Sequence, residues 1–320
     1  MRIAFLFTCY NRIEKTRKCI ESVQSAIKYV DSKIKSEAFI EDYWYITDAG
    51  SSDGTVDMIR SQIDTSRLHI RVENSDTYYS QGMRKAMEML KSDLNGAKED
   101  SSDEDKLQQA DKIDYVFIIN DDVVFYEDFL YRLLEQTKDS KEAAERQEKK
   151  ETSSMNAVIV GATDNGIKQT YGGVRYKRPV EKSILPRSIH YDMVKIDDIN
   201  RECDTFNANC VMVPGDVFSD NEVIDEHFAH GLGDFDYGFS LKINGNRIYS
   251  SDFYVGSCDN NTKAGTWMDT SLSRVERIKK LNSVKGAPTK QWFYYLNKNF
   301  GLLTAFVHSV SPYFRIIMKK

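Results

Sequence analysis

Cysteine is scarce in this chain and carries no pattern. Its five cysteines (Cys9, Cys19, Cys203, Cys210 and Cys258) are scattered over 320 residues, odd in number, with no C-x-x-C pair. A structural zinc site and a disulfide framework are therefore not expected, and reduced thiols in the cytosol fit best. Long apolar runs are also missing. No stretch approaches the roughly 18 residues that a membrane span needs. No basic and apolar leader precedes the first predicted strand. The expectation is a cytoplasmic protein, at most peripheral on the inner face of the cytoplasmic membrane. Positive charge is not in excess either: the formal net charge is −5, so no global attraction to nucleic acid is expected. Internal repeats are absent. His190 and His230 have no partner at metal-ligand spacing and read as hydrogen-bonded loop residues.

What the chain does have is strand–helix alternation. Apolar, β-rich runs predict strands at 2–8, 43–47, 68–73, 115–119, 155–161 and 247–255, with further strand character at 194–199 and 203–213. Helical spacing predicts helices at 13–30, 56–62, 81–90, 127–136 and 235–244, the last stopped by Gly245-Asn246. Such alternation implies an α/β fold with a doubly wound, mostly parallel sheet. The 41% apolar fraction is slightly low, and two polar segments, about 91–112 and 137–154, account for it. The first reads as a solvated loop, the second in part as an exposed extension of the preceding helix. Both decorate one domain, 1–290. A short helical tail, 291–320, would pack on that domain or lie on an anionic membrane surface.

The stretch around which these elements are organised is 113–125. Its apolar run has the character of a central strand buried on both faces, and it ends in Asn120, Asp121 and Asp122. Ligands of open α/β sheets bind beyond the carboxyl ends of strands. Adjacent carboxylates repel, and a divalent cation relieves that repulsion. Helix capping explains one acidic residue but not three polar groups closing a buried strand.

Three other places carry chemistry. Asp48 closes the second strand in Asp48-Ala49-Gly50-Ser51-Ser52-Asp53-Gly54-Thr55, where a carboxylate can accept a pyrimidine N–H and glycines admit a flat base. Asp53 reads as a helix cap. Gly82 and Arg84 would open a helix, where backbone N–H groups and a guanidinium can meet phosphate; a plain surface arginine is the alternative. Asp234, flanked by Gly231 and Gly233 at a helix N-terminus, would be held ionised by the helix dipole, ready to take a proton from a sugar hydroxyl. Asp236 points to the other side of that first turn.

Taken together, Thr8-Cys9-Tyr10-Asn11-Arg12, the Asp48–Thr55 turn, Asn120-Asp121-Asp122 and Gly233-Asp234-Phe235-Asp236-Tyr237-Gly238 resemble the family 2 glycosyltransferases of the GT-A (Rossmann-like) fold, over roughly residues 1–260. Segments 283–288 and 311–313 are similar to a bacterial subgroup of unassigned specificity. The resemblance implies inverting transfer of a sugar from a nucleotide-sugar donor, most simply a UDP-sugar, to a glycan or lipid-linked acceptor in cell-surface polysaccharide synthesis. It implies Asp234 as catalytic base, Asp122 as ligand of Mg²⁺ or Mn²⁺, and donor-binding roles for Thr8, Asn11, Asp48, Gly82, Arg84, Asn120 and Asp121. Two positions depart from the family pattern. Asn120 replaces an aspartate, and the histidine that relatives supply after the strand following the base helix is missing from Tyr254-Val255-Gly256-Ser257-Cys258. That leaves the third metal ligand unassigned, with Lys285 or Arg84 as helpers in holding the diphosphate.

A sugar-nucleotide pyrophosphorylase would need a Gly-rich basic loop after the first strand, and residues 8–12 contain no glycine. An aspartyl phosphatase would need an aspartate in that strand. The remaining alternative is a catalytically silent carbohydrate- or nucleotide-binding subunit of a polysaccharide assembly.

Overall fold

Alternate residues of the first strand, β1 (Arg2–Cys9), feed two different cores. Ile3, Phe5 and Phe7 enter one, Ala4 and Leu6 the other. This is the signature of a strand covered on both faces, and it requires helices on both sides of the sheet. A computed structural model of the chain describes residues 1–33, 39–99, 112–146, 157–177, 182–186 and 188–318. In it, helix α1 (Ile13–Lys33) turns Cys19, Ile20, Val23, Ile27 and Val30 toward the first core. Strand β2 (Glu41–Asp48), helix α2 (Thr55–Gln62), strand β3 (Leu68–Val72) and helix α3 (Tyr79–Glu99) follow. Helix α3 covers the second face through Met83, Ala86, Met87 and Leu90. Strand β4 (Tyr115–Ile119) and the short β5 (Val124–Phe125) lead to α4 (Phe129–Arg146), whose Phe129, Leu130 and Leu133 return to the first core.

The second half adds β6 (Val158–Asp164), β7 (Gln169–Tyr171), β8 (Gly173–Tyr176), β9 (Tyr191–Met193), β10 (Thr205–Phe206) and β11 (Cys210–Pro214). Helices α5 (Gly215–Asp220) and α6 (Gly233–Ile243), strand β12 (Ile248–Ser257), and helices α7 (Arg274–Leu281), α8 (Thr289–Phe300), α9 (Leu302–Ser309) and α10 (Ser311–Met318) complete it. The main sheet runs β3-β2-β1-β4-β11-β6-β12-β5, with β7 on β6, and β10-β8-β9 form a small second sheet. Strands β3, β2, β1 and β4 pair in parallel, as do β6 and β12, whereas β11 is antiparallel to both its neighbours. Strands β1, β2, β3, β4, β6 and β12 therefore share one direction. This is the doubly wound, mostly parallel α/β sheet that the alternation predicts. A third cluster joins Tyr176, Phe228 and Phe239 to Tyr295, Leu296, Phe300 and Ala305, and fastens α8 and α9 to the domain.

Three expectations are corrected. The solvated loop expected from 91 is helical through Glu99, because Leu94 continues the apolar face of Leu90 and Asp93 accepts the Tyr45 hydroxyl at 2.9 Å; residues 100–111 lie outside those described. The extension of the helix expected beyond 136 is found as far as Arg146, and residues 147–156 lie outside those described. The strand character at 194–199 is not a strand. Lys195 donates its N–H to Asp198 and Asp198 returns one to the Lys195 carbonyl, closing a turn that leaves Ile199 exposed. Of 203–213, only Thr205–Phe206 and Cys210–Pro214 lie in strands.

Candidate functional site

Adjacent strands deliver their carboxyl ends to one edge of the sheet. Cys9 pairs with Asp48 across β1 and β2, and β4 flanks β1 on its other side, bringing Asn120 to Asp122 alongside. Asp48 is fully buried. Cys9 Sγ donates to Oδ2 at 3.4 Å and the Ser51 N–H to Oδ1 at 2.7 Å. Gly50 stands at φ +77°, and a Cβ there would meet the Glu73 carbonyl oxygen at 2.8 Å, so the turn requires glycine. Thr8 Oγ1 donates to the Thr47 carbonyl at 2.9 Å. Asn11, left-handed at φ 48°, accepts the Ser52 N–H and donates its own N–H to Ser51 Oγ, both at 2.8 Å. Asn11 thus stitches the β1 loop to the β2 turn. The N-cap of α2 is Gly54 and not Asp53; Asp53, one residue before it, accepts from Thr55 N at 3.1 Å and also holds the start of α1 through Ile13 N at 3.0 Å.

The acidic pair is clamped by an arginine. Arg12 Nη1 lies 3.0 Å from Asp121 Oδ1 and 3.2 Å from Asp122 Oδ2, and Thr16 Oγ1 donates to Asp121 Oδ2 at 3.0 Å. Asp121 is only 3% exposed. Burial pushes its carboxyl up to about 6, with Arg12 opposing the rise and Asp122 adding to it. Asp122 is more open, and its Oδ1 accepts the Cys258 thiol at 3.8 Å. Burial, then Asp122, pushes that thiol up to about 12, so it stays protonated. Asn120 keeps a buried, unpartnered Oδ1.

Asp234 lies in the first turn of α6. Leu232, left-handed at φ 71°, reverses the chain into α6, and Gly233 seats that turn on α3: a Cβ at Gly233 would meet Ser80 Oγ at 2.5 Å. Asp234 Oδ2 accepts the Ala208 N–H at 3.3 Å and Oδ1 the Phe235 N–H at 2.9 Å. Burial pushes this carboxyl up to about 6 against those two N–H groups. Desolvation therefore outweighs the helix N-terminus that was expected to dominate, yet the group is still mostly ionised at neutral pH. Asp236 is absorbed elsewhere, by Lys298 Nζ at 2.6 Å and Asn299 Nδ2 at 3.0 Å.

Tyr79 is the first residue of α3. Its hydroxyl is buried without a partner, and burial, then Asp234, Asp122 and Asp121, push its pKa well up. A single side chain therefore feels all three carboxylates. His230, whose Nδ1 is also buried and unpartnered, is kept neutral by burial and by Lys285 and Arg12.

Two expectations change here. Helix α3 starts at Tyr79, so Gly82 and Arg84 do not open it. The Gly82 N–H donates to the Tyr78 carbonyl at 2.8 Å, and a Cβ at Gly82 would meet Thr8 Oγ1 at 2.3 Å; its role is close packing of α3 on the end of β1. Arg84 turns to Glu88 Oε1 at 2.8 Å and the Ile224 carbonyl at 3.0 Å, lining a polar groove of about 490 Å³ with Glu73, Asn74, Gln81 and Lys85. Arg12 and Cys258 lie within recognisable sequence motifs, yet nothing local to them signals their contacts with Asp121 and Asp122. Tyr79 is not signalled at all, because a tyrosine beside Tyr78 at a helix start carries no pattern of its own.

A divalent cation fits only one arrangement. Among the described residues no group of three His, Cys, Asp or Glu is placed to hold a metal. Cys258 is a protonated thiol and not a ligand for a hard cation. What remains is Asp122, with Asp121 behind it, and Mg²⁺ is commonly held by one or two carboxylates together with water and substrate phosphates. The donor set suits that open mode.

No protein-family model and no curated protein matches the chain. Among solved structures it is similar to residues 1–349 of TarS from S. aureus, with a TM-score of 0.49 and 12% identity over 98% of this chain and 73% of that one. The same protein in complex with UDP-GlcNAc is similar at a TM-score of 0.49, 12% identity, 97% of this chain and 74% of that one. The chain covers 43% of a longer TarS chain. It is also similar to the mannosyltransferase PcManGT from Pyrobaculum calidifontis in complex with GDP-Man and Mn²⁺, with a TM-score of 0.48 and 11% identity over 99% and 73% of the two chains.

Proposed function

We propose that this chain is an inverting, nucleotide-sugar-dependent glycosyltransferase of the GT-A type, acting on a hydroxyl of a glycan or lipid-linked saccharide in cell-surface polysaccharide synthesis. The observation that carries the reading is the pair Asp121 and Asp122 gathered by Arg12 at the carboxyl edge of the sheet, with Asp234 close enough to act, as they do, on the buried Tyr79 hydroxyl.

In this reading the donor base stacks over the Asp48–Gly54 turn. A ring N–H replaces the weak Cys9 S–H donor at Asp48, which favours uracil and hence a UDP-sugar. Thr8, Asn11 and Asn120 shape the pocket around base and ribose, with Asp121 beside the sugar. Asp234, with a pKa of about 6, is a base matched to neutral pH. It takes the proton of the acceptor hydroxyl as that oxygen bonds to the anomeric carbon. The bond from that carbon to the diphosphate oxygen breaks, and the nucleoside diphosphate leaves from the opposite face, so the configuration inverts. Arg12 and Tyr79 offer positive charge and a hydrogen-bond donor to the departing group. Asp122 would hold Mg²⁺ or Mn²⁺, whose charge, when bound, offsets the charge growing on the diphosphate.

The test is a thermal-shift series of the purified chain with UDP, dTDP and GDP, each with and without Mn²⁺. A ligand that binds only the folded state raises the midpoint by mass action. A Mn²⁺-dependent rise with one nucleotide, UDP foremost, is expected. No rise with any of them would overturn the reading in favour of a silent glycan-binding subunit.

A further inference from the structure

Helix α9 is packed inside out, and α10 leaves most of its apolar residues outside. Helix α9 buries Thr304, Ala305 and Ser309 against the domain while Leu302, Leu303, Phe306 and Val307 face solvent. Helix α10 buries Pro312 and Ile316 and exposes Phe314, Ile317 and Met318. Phe306 is 58% exposed and Phe314 62%. A globular helix normally buries such residues first, and a contiguous apolar face of this kind marks a surface that meets another phase or molecule.

Charge identifies what it meets. Between Lys263 and Lys320 there are eleven Lys and Arg residues against only Asp269 and Glu276, a balance of +9, which leaves −14 for residues 1–262. Several of these cations border the apolar face. Helix α10 packs on α7, and the Tyr313 hydroxyl reaches Asn282 at 2.8 Å and Thr289 at 2.6 Å. On either side of those contacts, Lys279, Lys280 and Lys290 are exposed. A second copy docking face to face would bring like charges together. An anionic lipid surface instead meets the apolar face with acyl chains and the basic rim with headgroups. Among the described residues no helix is long and apolar enough to cross a membrane, so the contact is peripheral.

We propose that the exposed face of α9 and α10, with the basic rim of α7 and the loop after it, docks the protein on an anionic phospholipid bilayer. Lys285, in that loop, also lies within electrostatic reach of His230 beside the acidic cleft, so docking would bring the cleft close to the lipid surface.

Vesicle flotation of the full chain tests this without any nucleotide, so it stands or fails separately from the transferase reading. The chain should float with vesicles of phosphatidylcholine mixed with phosphatidylglycerol at least about tenfold more than with phosphatidylcholine alone, and less as salt is raised. The double variant Phe306→Ser, Phe314→Ser should lower binding about tenfold or more. Lys279→Ala with Lys280→Ala, on a different helix, should lower binding to the mixed vesicles about tenfold and keep the wild-type thermal midpoint, which guards against a folding defect in the first variant. Equal flotation with both vesicles, no flotation, or flotation unchanged by these variants would overturn the proposal. So would a dimer in light scattering that the double phenylalanine variant converts to monomer, because the face would then belong to a second copy.

Discussion

The carboxyl edge of the sheet and the C-terminal helices solve opposite problems. At the edge, polar groups are drawn inside: Asp48 and Asp121 are buried, and backbone N–H groups, Arg12, Thr16 and a thiol hold them. In α9 and α10, apolar groups are left outside; α9 rests on threonine, alanine and serine, and α10 on Pro312 and Ile316. Each arrangement costs stability, because desolvating a carboxylate and exposing a phenylalanine are both unfavourable. A fold tolerates such costs where function needs them. The two regions teach the same lesson from opposite sides, since in each the residues that violate the inside–outside rule are the ones that the proposed roles use.

The largest expected effect breaks the edge alone. Asp234→Asn should lower turnover about 10⁴-fold, at the upper end for loss of a general base, while the nucleotide-induced thermal shift is kept. The upper end applies because Asp236, the only neighbouring carboxylate on α6, is already held by Lys298 and Asn299. Turnover close to wild type would remove Asp234 from the mechanism.

The next effect separates the two sides of the tail. Phe300, 1% exposed in the third cluster, should cost about 4 kcal/mol in urea unfolding when replaced by alanine. Phe314→Ser, on the outward face, should stay within about 0.5 kcal/mol. Similar losses for both would mean that the outward face is part of the core.

The smallest effect sharpens the account of the edge. The folded pKa of Asp121, about 6, is above its ordinary value, so the native state holds the proton more tightly than the unfolded chain. The stability this contributes is complete below the unfolded pKa and is lost as pH rises through about 6. Relative to wild type, Asp121→Asn should therefore gain up to about 3 kcal/mol between pH 4 and pH 7. Parallel unfolding curves across that range would show that Arg12 and Thr16 fully offset the burial.

Much of the molecule was legible beforehand. The β1, β2 and β4 runs, the helices between them and the chemistry closing each strand follow from local periodicity and turn composition. The run Asn120-Asp121-Asp122 marks its own position because three polar groups interrupt an otherwise apolar stretch, with Ile118-Ile119 before it and Val123-Val124 after it. Less legible were the features set by distant partners. Leu94 and the Tyr45–Asp93 bond extend α3 through residues that look like loop. Gly82 packs against Thr8 inside the first turn, because α3 begins three residues earlier at Tyr79.

By itself the sequence determined the α/β class, the direction of the sheet and the residue types at its carboxyl edge, since these depend on neighbours within a few positions. Tertiary structure alone decided that Arg12 clamps both acidic residues, that Tyr79 sits among three carboxylates, and which face of α9 and α10 is left outside. Those contacts join residues more than 40 positions apart or depend on what the domain leaves uncovered. Their energies come from burial and charge in the folded chain, and these have no local trace.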